Sequence, residues 1–426
     1  MLTYQQLETM KAKLIIALFI VAFTTQLSAQ QRCSSTDYQQ AELKHNPLLA
    51  EKIKQIEAFT NQQLQIQNRT STLVGGNTIK IPVVVHILYH TQDEKISDAR
   101  VASQITALNK YYRRLNNDTM NTPAYFRQLA ADCEIEFELA ISDPRRHSTS
   151  GIIRKYTPVT KWKADDLVKF SSEMGDDAWD PKSYLNIWVC NLEKFAGYAT
   201  MPGGESKKDG LVISFSAFGT NGGTNGYDMG KTAVHEVGHW LNLKHLWGDE
   251  NCGDDGVSDT PKQATYTVGC PGVVRITCGN GPYGDMYMNY MDYTNDACIN
   301  MFTQGQKARM RALFAIGGAR NSLLQSTGLT PPLIAETALP EQDPKWLHPQ
   351  LYPNPASNEI NLDLAYDIRW IGKTIFVTNL QGQNVMNVVI TSKYQKIDLS
   401  KLQAGMYFIA AKKDDGESIK QRFIKL

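Results

Sequence analysis

HEVGHWLNLKH, residues 235–245, places three of the chain's eight histidines and one glutamate in a single short run. His235 and His239 are four apart, a spacing that stacks two side chains on one face of an α-helix. Both imidazoles can then face one ion. Glu236 lies about 100° around the same helix, off the ligand face but within reach of a water beside the metal. His245 is six residues beyond His239, an offset that a continuing helix would turn away, so the helix has to end between them. Asn242 can end it, because asparagine tolerates the left-handed conformation better than any residue except glycine. A bare HExxH occurs by chance on solvated or capped helices. The third histidine, with a turn-compatible residue before it, decides for a zinc site of His235, His239 and His245 with Glu236 beside it.

The chain has 426 residues, enough for two or three domains, and its 42% hydrophobic content can fill a packed core. A formal net charge of +1 without a basic stripe argues against a nucleic-acid or anionic-membrane partner. Lys11 and Lys13 precede the apolar run LIIALFIVAF at 14–23, followed by the small residues Ser28 and Ala29. This pattern predicts a secretory signal peptide over residues 1–29, and Met10 begins the more typical form of it. The run is short for a bilayer core of about 30 Å, and no other stretch is apolar and long enough to span one. Export permits disulfides. Cys252, Cys270, Cys278 and Cys298 cluster after the histidine motif and read as two bridges, whose pairing the sequence leaves open among three arrangements. A second structural zinc on these four lacks a CxxC pair.

Residues 30–77 are polar and glutamine-rich, with a helical rhythm and little to bury, and read as a pro-segment or a linker rather than a domain. At Thr78 the character changes: IKIPVVVHILYH predicts a central strand that opens a lobe over 78–325. Within it, SDARVASQITALNKYYRRLN predicts a helix, while EIEFELAIS, YLNIWVCNL and GLVISFSAFG predict strands ahead of the histidine helix. The order describes an α/β (α+β) lobe with the metal helix packed beneath a mixed sheet. Prolines without periodicity mark a linker over 326–348. Residues 349–426 carry alternating strands with Gly382 and Gly405 at turns and predict a small all-β sandwich.

Farther along, MNYMDYTNDACINMFTQGQKARM resembles the methionine turn of metzincin metallopeptidases. Together with HEVGHW, the loop GDDGVSDTP and the cysteine cluster, the lobe resembles the pappalysin family. That resemblance implies a metzincin-like fold, zinc on His235, His239 and His245, Glu236 as general base, Met291 below the metal and Tyr293 as a transition-state stabiliser. It also implies calcium in the acidic loop, where Asp254, Asp255, Asp259 and Thr260 offer hard oxygen ligands. Asn242 stands where the family usually has glycine, an exchange the left-handed geometry tolerates. Cys33, in QRCSSTD, resembles the propeptide cysteine of latent metzincins, whose thiolate takes the fourth position on zinc. The competing reading is a disulfide from Cys33 to Cys133 or Cys190. Activation on the latent reading requires a cut between Cys33 and Thr78, for example at Arg69.

For a peptide substrate, KFAGYATMPGG at 194–204 is a candidate edge strand, with Gly197 and Ala199 allowing close backbone approach. Asp296 either makes the pocket after the scissile bond prefer Arg or Lys, or is a solvated loop carboxylate. LYPNPASNEINL at 351–362 and IDLSKLQAGMYFI at 397–409 resemble the sorting domain of type IX secretion, which implies that machinery as a partner. The chain therefore reads as a secreted zinc endopeptidase made as a latent precursor. Its rivals are a catalytically silent binding protein on the same fold and a zinc hydrolase of a non-peptide amide or ester.

Overall fold

The run Ile79–Tyr89 buries every side chain but Lys80. A strand apolar on both faces needs a covering layer on each, which puts it in the middle of a sheet. The computed structural model describes residues 31–70, 78–220, 226–337, 348–414 and 416–426. The signal peptide expected over 1–29 lies outside the described residues. Among those described, no helix is long and apolar enough to cross a membrane.

In chain order the elements are β1 (Gln31–Cys33), α1 (Ser35–His45), α2 (Pro47–Thr70), β2 (Ile79–Tyr89), α3 (Asp98–Tyr112) and α4 (Ala124–Arg127). Then come β3 (Ile135–Leu139), β4 (His147–Ser148), β5 (Ile152–Tyr156), β6 (Leu185–Cys190), β7 (Phe195–Ala199) and β8 (Leu211–Ser214). Two helices close the lobe, α5 (Lys231–Trp240) and α6 (Gln304–Ala312). The sheet order is β1-β7-β8-β6-β2-β3, with β5 continuing beside β2. All neighbours are parallel except β7, which runs antiparallel to β8. The mixed sheet is the one expected from the sequence.

Helix α5 buries all ten of its residues. Its apolar members Ala233, Val234, Val237 and Trp240 share one core with Val83, Val85, Ile187 and Ile213 of the sheet. Helix α3 adds Ala107 and Leu108 to the same core and holds α5 by polar contacts as well, Tyr112 Oη donating to the Val234 carbonyl and Gln104 Nε2 to that of Gly230. Lys231, a cation in the first turn, opposes the helix dipole. Its ammonium is accommodated by the carbonyls of Asp296 and Ile299 and the carboxylate of Asp118.

The helix ends as the motif requires. Asn242 has φ 70°, Leu243 N donates to Gly238 O and Asn242 N donates to His239 O. This pair of bonds is a Schellman ending, and it returns the chain toward the helix face that carries the first two histidines.

Two expectations change. Residues 30–77 have more to bury than their composition indicates: Arg32, Cys33, Ser34, Ser35, Tyr38 and Leu49 are all buried, because β1 and α1 lie against the lobe. The segment 326–348 is not wholly a free linker, since β9 (Ile334–Thr337) pairs with β4 and the Gly328 carbonyl accepts from Ile141 and Ser142. A tract without periodicity can still dock through its backbone.

The C-terminal unit consists of β10 (Gln350–Tyr352), β11 (Glu359–Asp363), β12 (Thr374–Asn379), β13 (Asn384–Val389), β14 (Tyr394–Asp398), β15 (Gly405–Lys412) and β16 (Ser418–Lys425). They form the antiparallel sheets β10-β11-β14 and β13-β12-β15-β16 around one core that includes Trp370, Ile409 and Phe423. The expected sandwich is present.

The left-handed Asn242 generates a stability prediction. Asn242→Gly is expected to leave the melting temperature unchanged or raised, since glycine meets no steric penalty there. Asn242→Val should cost about 2 kcal/mol or more, because a β-branched residue resists positive φ. Thermal melting of the purified variants checks both.

Candidate metal centre

His235 and His239 project from α5 and His245 from the returning chain, so that their Nε2 atoms lie 3.1, 3.0 and 3.3 Å from one another. Each ring is oriented from behind. Nδ1 of His235 donates to the Tyr290 carbonyl at 2.7 Å, Nδ1 of His239 to the Leu243 carbonyl at 2.9 Å, and Nδ1 of His245 to the Asp249 carboxylate. A proton held on Nδ1 leaves a lone pair on Nε2. Burial, reinforced by the neighbouring rings, also keeps His235 and His239 well below the usual imidazole range. Three buried lone pairs that meet within 3.3 Å repel one another unless a cation lies between them.

The donor set fits zinc. Tetrahedral ligation at about 2.05 Å per nitrogen sets neighbouring nitrogens about 3.3 Å apart, close to the separations found. Cys33 Sγ lies 3.6 Å from His239 Nε2, and donor atoms of Cys33, His235, His239 and His245 all lie within 4.8 Å of one another. Cys33 is not bridged to Cys133 or Cys190; all three are free and buried.

Glu236 is fully buried, and burial pushes its carboxyl up to about 7. Oε2 accepts from Ser35 Oγ at 2.8 Å and from Cys33 Sγ, whereas Oε1 has no hydrogen-bond partner. Met291 lies under the helix, where a Cβ on Gly238 would come within 2.5 Å of its sulfur. Tyr293 stands over His245, ring centroids 5.0 Å apart, and its hydroxyl donates to the Cys33 carbonyl at 3.3 Å. The turn that carries both is tied down by Asp292, which accepts from Thr267, Gln263 and the Tyr293 amide.

Strand β1 runs along β7 with Gln31 opposite Phe195 and Cys33 opposite Gly197. The candidate edge at 194–204 is therefore covered by the chain's own N-terminal strand. Gly197 is close to its neighbours: a Cβ there would lie 3.1 Å from Glu236 Cγ. Asp296 is not a solvated loop carboxylate. Oδ2 accepts the amides of Met229 and Lys231 at the start of α5, and Oδ1 meets the Arg32 guanidinium at 3.1 Å with both side chains fully buried. Arg32 also donates to the Thr294 carbonyl and lies over the Tyr227 ring.

The four clustered cysteines form two bridges, Cys252–Cys278 and Cys270–Cys298. In the acidic loop the residues expected for calcium, Asp254, Asp255, Asp259 and Thr260, are divided between two settings. Asp259 accepts from Thr303 Oγ1 and the Gly305 amide at the start of α6. Thr260 Oγ1 donates to Asp255 instead. Asp254, Asp255 and Thr260 line a 380 Å³ cavity whose lining does not include Asp259.

Sequence reasoning passed over Arg32, Ser35 and Asp249. Arg32 and Ser35 flank Cys33 in QRCSSTD, and Asp249 falls four residues after His245, yet their roles depend on which groups the fold brings opposite them.

A sequence model of the family described as pregnancy-associated plasma protein-A matches residues 169–315, and one described as a secretion system C-terminal sorting domain matches residues 350–425. An extracellular metalloprotease of Colletotrichum graminicola is 31% identical over 266 residues, spanning 59% of this chain and 84% of that protein. Among solved structures, mature mirolysin of Tannerella forsythia in complex with a cleaved peptide is 46% identical with a TM-score of 0.58, covering 59% of this chain and 97% of that one. A promirolysin variant from the same organism is 42% identical with a TM-score of 0.64, covering 69% of this chain and 97% of that one. The chain thus belongs to the pregnancy-associated plasma protein-A, or pappalysin, family, as a secreted metalloendopeptidase made as a precursor with a type IX sorting domain at its C-terminal end.

Proposed function

We propose that His235, His239 and His245 hold one zinc ion, that Glu236 is the general base for peptide-bond hydrolysis, and that residues 30–77 keep the site latent through Cys33. The observation that carries this reading is the convergence of three Nε2 lone pairs and one thiol on a single point. Bound there, zinc supplies a Lewis acid and makes a water acidic enough to attack near neutral pH.

The chain's own groups do the rest. A substrate strand takes the edge of β7 that β1 occupies, with Gly197 leaving room for its backbone. Glu236 takes the proton of the attacking water at Oε1, the oxygen without a partner, and passes it to the departing amine. The Tyr293 hydroxyl, freed from the Cys33 carbonyl, donates to the developing oxyanion. In the precursor each of these groups is engaged by residues 32–35: Asp296 by Arg32, the zinc position and Tyr293 by Cys33, Glu236 by Ser35. The match to promirolysin spans 69% of the chain against 59% for mature mirolysin, which supports reading the N-terminal segment as the part removed. Protein or peptide substrates follow from the family, and the relatives' metalloprotease character disfavours a silent binding protein. Asp296 Oδ1, once Arg32 departs, favours Arg or Lys after the scissile bond. A calcium ion belongs in the 380 Å³ cavity, where Asp254, Asp255 and Thr260 supply oxygen ligands.

Three outcomes are expected. Given a mixed peptide library, the form starting near Thr78 should cut, the full precursor should not, and Glu236→Ala should silence both, with product ends read by mass spectrometry. Zinc bound stoichiometrically with no cutting by any form would refute the peptidase reading. Asp296→Asn should lower kcat/KM for peptides with Arg after the scissile bond by roughly tenfold or more, as loss of one charge-assisted bond requires, while peptides with small residues there change little. EGTA should depress the melting temperature by several degrees and added calcium should restore it; an unchanged melting curve would count against the calcium site.

A further inference from the structure

On the far side of the metal from Asp296, the N-terminal segment fills a second buried pocket that the latency reading does not use. Tyr38, on α1, is buried with its hydroxyl donating to Asp166 Oδ2 at 2.7 Å. Thr200 Oγ1 lies 3.5 Å from the same hydroxyl. The ring lies against Tyr198, centroids 5.0 Å apart, and the Lys169 ammonium sits 5.4 Å from its centre. Asp166 and Lys169 are themselves buried, and Asp166 holds a left-handed backbone at φ 66°. Backbone strain of this kind persists where surrounding contacts fix it, and it gathers at binding sites.

The two oxygens of Asp166 are divided. Oδ1 takes the Lys169 ammonium at 2.8 Å and the Tyr198 hydroxyl at 3.3 Å, both from the lobe itself. Oδ2 takes Tyr38, and among the described residues the other cation near it is the Lys208 ammonium, 3.9 Å away and paired with Glu42 at 3.1 Å. Removal of the N-terminal segment therefore leaves a fixed carboxylate oxygen at the bottom of an aromatic-walled pocket without its donor. The pocket's place relative to the reacting centre follows from the register of β1 on β7. Gln31 pairs with Phe195 and Cys33 with Gly197, so Arg32 and Asp296 lie toward the Phe195 end, while Ala199 and Thr200 lie beyond the metal at the other.

We infer that this pocket, floored by Asp166 and walled by Tyr198, Lys169 and Thr200, is a specificity subsite for a tyrosine side chain upstream of the scissile bond. The inference rests on the proposed reading, in which the Asp296 pocket lies downstream of that bond. A phenol brings an apolar ring for Tyr198 and a hydroxyl for Oδ2. Phenylalanine brings only the ring and leaves a buried carboxylate oxygen unpaired, a penalty that hydrogen-bond-lined pockets convert into selectivity. Because α1 departs from the β7 direction after Ser35, the upstream position is to be found by scanning.

The test uses the form released from the full precursor, with peptides carrying Arg after the scissile bond and Tyr, Phe or Ala at each of four upstream positions. At one position Tyr should exceed Phe by about tenfold in kcat/KM, carried by KM, as one bond to a charged acceptor implies. In Asp166→Asn, with its melting temperature and its Arg preference retained, the gap should fall below about twofold. Equal cleavage of Tyr and Phe peptides at every position by the unaltered enzyme would overturn the inference even if Asp166→Asn failed to fold, and so would a Tyr preference that survives the substitution. Failure to cut any peptide would instead strike the peptidase reading beneath it.

Discussion

Three imidazole lone pairs held within 3.3 Å of each other, out of water, cost free energy unless a cation joins them. Everything around the centre serves to hold that unfavourable arrangement in advance of the ion. Nδ1 of each ring must find an acceptor fixed by something else, and the three acceptors come from different places: the turn at Tyr290, the helix ending at Leu243 and the loop at Asp249. The turn is anchored in its own right by Asp292, a buried carboxylate pushed up to about 6 by burial despite four donated bonds. The helix ending depends on one left-handed residue. Preorganisation of this kind moves the cost of assembling the site from metal binding to folding.

The same groups explain how a short N-terminal segment can silence the lobe. Arg32 pairs with Asp296, Cys33 joins the three histidines, and Ser35 donates to the carboxylate of Glu236, in that order along the chain. Farther along, Glu57 on α2 binds Arg309 in a forked pair, and Arg309 Nε donates to the carbonyl of Asn242 at 2.8 Å. The segment thus reaches the residue that ends the metal helix. It also touches that residue directly, Asn242 Nδ2 lying 3.4 Å from Thr60 Oγ1 on α2.

Much of this centre was legible because its chemistry is carried by local spacing. His235, Glu236 and His239 declare themselves on one helix, and the turn needed before His245 left only a few positions for a left-handed residue. The central strand was legible for the same reason, as an apolar run with no polar alternation. What the sequence hid is what pairs across long separations. Arg32 meets Asp296 across 264 positions, and Ser35 meets Glu236 across 201. Neither partner carries a sign of the other, so residues 30–77 looked like polar chain with little to bury. The acidic loop was legible as a cluster of carboxylates, but that Asp259 accepts from Thr303 and the Gly305 amide at the start of α6 depends on a partner more than forty residues away.

The affinity of residues 31–70 for the lobe has to be weighed against how they are joined to it. β1 contributes three residues of strand, and α1 carries mainly polar side chains, with Ser35 and Tyr38 its buried members. These two elements bury little apolar surface, so beside Leu49 and Ile56 on α2 retention draws on Arg32 with Asp296, Tyr38 with Asp166, Glu42 with Lys208 and Glu57 with Arg309. Exposed ion pairs add little each, whereas Arg32 with Asp296 is fully buried and gains its strength only with its geometry intact. In the intact chain these contacts form at the high effective concentration that a short connection to β2 provides. A cut between Thr70 and Thr78 removes no contact among the described residues, yet it makes rebinding bimolecular, and the segment's modest contacts then compete with dilution. Latency on this reading is held by the covalent connection as much as by the thiol, which explains how cleavage well away from the metal can open it.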